Sequence, residues 1–164
     1  MRKTILVLIS VALMIVDNTL LPYFDINTYY PSLLFVFALC HSFVNDRWDA
    51  LYIGIFTGIL QDIYFFQGFG INTLINMLIC VAAAIIGESI FKDKKLIPVL
   101  ATFLLVMAKY ISVYVILFAL GFSMNISGIF YVALMSMVAA FFIYKPVYNM
   151  SEKEFMKKDW KFNE

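Results

Sequence analysis

The sequence predicts an all-α, polytopic membrane protein with six transmembrane helices and both termini in the cytoplasm. Three observations carry that prediction. Hydrophobic residues make up 63% of the chain, charged residues only 14%, and the mean hydropathy is +0.90. A soluble domain averages about 45–50% apolar and about 25% charged. The apolar residues also fall in six continuous runs rather than alternating, which suits helices and not the strands of a membrane barrel. Finally, the basic residues segregate. With the N-terminus inside and six crossings, Arg2, Lys3, Arg47, Lys92, Lys94, Lys95, Lys145, Lys153, Lys157, Lys158 and Lys161 all lie on the inner side. The outer loops hold none, and the twelfth basic residue, Lys109, lies within a run. Cytoplasmic loops are enriched in Lys and Arg in this way.

The first run, Thr4–Leu21, follows Arg2 and Lys3. Its apolar core is longer than that of a signal peptide and no small-x-small cleavage site follows, so a retained helix is expected. Asp17 and Asn18 interrupt it near its far end. Pro22 stops it, and Tyr23, Phe24, Tyr29 and Tyr30 supply interfacial aromatics. The second run, Ser32–Val44, is short. Pro31 before it suits the first turn of a helix. A polar turn, Asn45-Asp46-Arg47-Trp48-Asp49, leads to the third run, Ala50–Phe66. The fourth, Ile71–Phe91, carries Asn72, Asn76 and Glu88 and ends at the basic turn Lys92-Asp93-Lys94-Lys95. The fifth, Leu96–Leu120, has Pro98 in its first turn and is long enough to tilt. The uncharged turn Gly121–Ser127 leads to the sixth, Gly128–Tyr144, which Lys145-Pro146 is expected to end. Residues 1–146 thus form the helical bundle, and 147–164 a polar cytoplasmic tail.

The third run holds the most informative residues. Ala50, Gly54 and Gly58 repeat every fourth position and lie on one helix face. Small residues in this spacing let a second backbone approach closely in lipid, so the row is expected to be a helix-packing or partner interface. The next step of the row is Asp62, preceded by Gln61, and the helix then breaks at Gln67-Gly68-Phe69-Gly70. Asp62 reads either as an intramembrane polar site or as a carboxylate marking the helix end. Lys109 is about 20 Å along its helix from Leu96 at about 1.5 Å per residue, which places it near mid-membrane. An isolated ammonium there costs roughly 2.5 to 3.5 kcal/mol on insertion scales. Pairing with an acid is the expected resolution, with Asp17 and Asp62 both candidates, and a water-filled cleft or backbone carbonyls are the alternative. Gln61, Asp62, Asp17 and Lys109 therefore form the expected intramembrane polar site.

Enzymatic chemistry is not in view. The chain has no Walker loop, no GxSxG elbow, no HExxH and no carboxylate cluster with metal spacing. Cys40 and Cys80 sit inside apolar runs as small hydrophobes, and His41 has no companion ligand. No catalytic residue, cofactor, metal or nucleic-acid partner is expected.

Three stretches carry a family resemblance. They are Tyr30-Pro31-Ser32-Leu33-Leu34, then Gly54-x-x-x-Gly58-Ile59-Leu60-Gln61-Asp62, and Gly68-x-Gly70-x-Asn72-x-Leu74. In their order and spacing the chain resembles MreD, the multipass rod-shape-determining membrane protein. The family often has an acidic residue after the proline, where this chain has Ser32. The resemblance implies a non-enzymatic component of the cell-elongation machinery in the cytoplasmic membrane. Its implied partner is MreC and, indirectly, MreB, RodA and the RodA-associated transpeptidase. The family is also similar in fold to the substrate-binding membrane subunits of energy-coupling-factor vitamin transporters, which gives an alternative function. Such subunits dock on the transport module through small residues of the first helix. Here the first helix has Ser10 and Ala12 but no Ala-x-x-x-Ala row.

Overall fold

A computed structural model describes residues 2–19, 31–64, 69–89, 96–121 and 128–151. These residues are helical apart from short turns. The helices are α1 Arg2–Thr19, α2 Leu33–Val44, α3 Arg47–Tyr64, α4 Ile71–Glu88, α5 Leu96–Ala119 and α6 Ile129–Ser151. Several expected features lie outside the described residues: Pro22 and the aromatics 23–30, Gln67-Gly68, the turn at 92–95, the turn at 122–127 and the tail from 152 onward.

The shortest helix is at the centre. Every side chain of α2 from Leu34 to Phe43 is buried, because α2 packs against all five other helices. Around it the order is α1, α3, α4, α5, α6, each against the next, and no backbone approach joins α1 to α6 among the described residues. At 12 residues, α2 is about 18 Å long at about 1.5 Å per residue, short of a hydrocarbon core of about 30 Å. Helices α4, α5 and α6 are long and apolar enough to cross a membrane. A short helix inside such a bundle is tolerable only if its terminal N–H and C=O groups find partners. At the start of α2, Ser32 is the N-cap, and its hydroxyl accepts from the Phe35 N–H at 3.2 Å. Pro31 therefore stands before the cap rather than in the first turn. At the other end Asn45 donates to the His41 carbonyl from its backbone and from its side chain, the latter at 2.8 Å.

The closest pair is α3 with α4, which lie antiparallel. Gly54 and Gly58 make that approach possible. A Cβ on Gly54 would lie 2.9 Å from the Asn76 carbonyl oxygen and 2.9 Å from Met77 Cα. On Gly58 it would lie 2.8 Å from the Thr73 nitrogen and 2.9 Å from the Asn72 oxygen. All four distances are inside van der Waals contact with backbone that cannot swing away. Ala50 is fully buried on the same row. Gly54 and Gly58 are thus covered by α4 of the same chain, and Ala50 is buried within the bundle. At the far end of α4, a Cβ on Gly87 would meet the backbone of Phe43, so α4 packs closely on α2 as well.

Helix α6 does not end at Lys145-Pro146. It continues through Pro146 to Ser151. The proline removes one N–H, whose acceptor would have been the Phe142 carbonyl. Tyr144 and Val147 are buried on either side of it, and the Asn45 amide reaches Ser151 Oγ at 3.1 Å. Packing on both sides and this contact hold the last turn in place.

Candidate functional site: a polar network at one end of the bundle

Two carboxylates at helix ends each cap the following helix. Asp17, in the last turn of α1, accepts from the Leu33 N–H at 2.9 Å through Oδ1. Its Oδ2 accepts from the Leu34 N–H at 3.0 Å and from the Ser32 hydroxyl at 2.9 Å. Asp62, in the last turn of α3, does the same for α4. Oδ1 accepts from the Asn72 N–H at 3.0 Å, and Oδ2 from the Thr73 N–H at 2.9 Å and the Thr73 hydroxyl. The N-cap position of α4 is Gly70, at φ +98°, with no side chain to offer; Asp62 supplies the missing acceptor from the neighbouring helix. The first N–H groups of a helix lack internal partners and carry the positive end of its dipole. A carboxylate placed there has both oxygens hydrogen-bonded and its charge offset without any cation.

This geometry corrects the expected acid–lysine pairing. Among the described residues neither Asp17 nor Asp62 forms a salt bridge with Lys109. The buried ammonium donates to Gln61 Oε1 at 2.7 Å and lies over the Phe35 ring, 3.9 Å from its centroid. A carbonyl dipole and an aromatic face together solvate a cation. Phe35 is in the first turn of α2 and Gln61 in the last turn of α3, so the ammonium is level with the acids. Asp62 is adjacent to Gln61 but about 100° further round α3 at about 3.6 residues per turn; one faces the bundle interior and the other the start of α4.

Gln61 is the hub of the network. Besides Lys109, its Oε1 accepts from Asn76 Nδ2 at 2.9 Å, and its Nε2 donates to Ser32 Oγ at 2.8 Å. The direction of every bond is dictated by the two ends. Lys109 only donates, so Gln61 must present its oxygen to it. Asn76 must then present its NH2, and Gln61 Nε2 must donate to Ser32. The Ser32 hydroxyl in turn donates to the Asp17 carboxylate, which only accepts. One run of hydrogen bonds therefore joins side chains from α1, α3, α4 and α5 to the start of α2.

The structure thus brings Asp17, Gln61 and Lys109 into one network, with Asp62 beside it on the α4 cap. Gly54 and Gly58 lie along the α3–α4 contact, and Ala50 is buried one turn before them. Reading the sequence alone missed Thr73, the Phe35 ring, Gly87 and the capping role of Ser32. One signal for Gly87 was present: Cys80, Ala83, Ala84 and Gly87 form a buried row of small residues on α4. At the opposite end of the bundle, Arg47 and Glu88 form an exposed two-point ion pair, with Arg47 Nε 2.8 Å from Oε1.

No curated protein and no solved structure matches the chain. A family model does: the one described as rod shape-determining protein MreD matches residues 1–153. That span covers all six helices and every residue of the polar network, and the chain belongs to the MreD family of rod shape-determining membrane proteins.

Proposed function

We propose that this chain is a non-catalytic scaffold of the machinery that elongates the cell, embedded in the cytoplasmic membrane through six spans with both termini inside. In this reading it associates with MreC and, through MreC, with MreB, RodA and the transpeptidase that works with RodA. The observation that carries it is the family match over residues 1–153. The geometry of the polar site supports it. Asp17, Asp62, Gln61 and Lys109 are each engaged in contacts between helices, which is what a rigid membrane anchor needs. Positioning six helices requires no reacting group.

The test is loss and replacement. Cells lacking the protein should round up and mislocalise the elongation machinery with vitamin uptake unchanged, and MreC should co-purify with the tagged protein. Normal cell shape with impaired uptake of a vitamin would instead identify a transporter subunit.

A further inference from the structure

Two complementary groups at the centre of the network have hydrogen-bonding capacity that no described residue meets. Asn76 Oδ1 is completely buried and has no hydrogen-bond partner among the described residues. Lys109 is 4% exposed and among the described residues makes one hydrogen bond, to Gln61 Oε1, with Phe35 beneath it. An ammonium has three donors, so at least one N–H of Lys109 lacks an acceptor. Both groups are fixed to the same atom: Gln61 Oε1 binds Lys109 Nζ at 2.7 Å and Asn76 Nδ2 at 2.9 Å. The orphan oxygen is on the same amide as that Nδ2, one amide width away. Turning the amide over does not help, since Oδ1 would then face Gln61 Oε1, acceptor against acceptor.

We infer that a single internal water molecule occupies this point, accepting from Lys109 Nζ and donating to Asn76 Oδ1. The chemistry selects the occupant. It must accept on one side and donate on the other, which excludes an anion without a proton and excludes a metal cation. It must also be small, because Asn76, Lys109 and Gln61 are all at most 8% exposed and admit no lipid headgroup. A buried water is stable with two to four polar partners, and leaving a buried acceptor unpaired costs about 1–3 kcal/mol. Hydration of the lysine thus comes from within the bundle, inside the same network that joins the helices.

Proton-detected solid-state NMR on the full chain in lipid bilayers, with lysine labelled at 15Nζ, tests this. The Lys109 signal is assigned by its loss in Lys109→Met. Its N–H protons are expected to show a cross-peak to a bound water, and Asn76→Leu, which fills the space with apolar atoms, is expected to abolish that cross-peak. If Asn76→Leu does not fold, Asn76→Ala serves: it leaves more room and keeps the water, while freeing it from its acceptor and shortening its residence. Absence of a water cross-peak in the unsubstituted protein would overturn the inference. So would a direct Lys109–Asn76 contact, or a cross-peak indifferent to substitution at Asn76.

Discussion

At the scale of single residues, the membrane-embedded charges show how a carboxylate and an ammonium can share a bundle without pairing. Opposite charge is one way to lower the cost of a buried ion, and helix termini are another. Hydropathy and spacing located Asp17, Gln61, Asp62 and Lys109, but not which group answers which charge. That depends on where the start of α4 lies relative to the end of α3, a tertiary fact. The consequence is testable. Removing an N-cap acceptor costs about 0.5–2 kcal/mol, so Asp62→Ala should lose about that much stability in reversible unfolding from mixed micelles. Combining Asp62→Asn with Lys109→Met should be additive within about 0.5 kcal/mol. Recovery of stability in that double variant would mean that the two charges do pair. Gln61→Leu should cost more, because hydrogen bonds to charged groups are worth about 1.5–3 kcal/mol. Here the second change should help: Lys109→Met removes the ammonium that Gln61→Leu strands, and the cycle should show clear coupling. Additivity between Gln61 and Lys109 would show that their 2.7 Å contact carries no energy.

At the scale of helices, close approach is the governing feature. Gly54 and Gly58 admit α4, and Gly87 admits the backbone of Phe43. The first two were legible in the sequence because they repeat at four residues along an otherwise large-residue helix. What the sequence did not disclose is that α4 of the same chain fills the row. Gly87 was hidden because its small neighbours are alanines and a cysteine, which are common in any apolar helix. The helical runs themselves were readable, since each is bounded by charge, Pro or Gly. The exception is Pro146, where buried Tyr144 and Val147 hold the helix through a residue that would otherwise end it. Gly58→Leu should strongly reduce the amount of folded protein in membranes, while Ile59→Leu, one position along on an exposed side, should leave it unchanged. Gly87→Ala should also destabilise, by about 1–3 kcal/mol as for overpacked cores, measured by thermal aggregation in detergent. Tolerance of Gly87→Ala would mean that α2 and α4 can separate at that end without loss.

At the scale of the whole molecule, the family match gives a rod shape-determining membrane protein, and the distribution of basic residues predicts its orientation in the bilayer. The orientation is checked by cysteine substitution. Asn27→Cys and Asn125→Cys should label from outside intact cells with a membrane-impermeant maleimide, and Lys94→Cys and Lys157→Cys should not; the reverse pattern would invert the protein. The central claim is that the embedded polar residues act by holding the fold and do no chemistry. It is tested most directly by plotting cell width and length against the amount of folded, MreC-associated protein for Asp17→Asn, Gln61→Leu, Asp62→Asn and Lys109→Met. The account predicts that all four variants fall on the single curve obtained by titrating expression of the unsubstituted protein. A variant present at the normal level and bound normally to MreC, yet giving round cells, would contradict it.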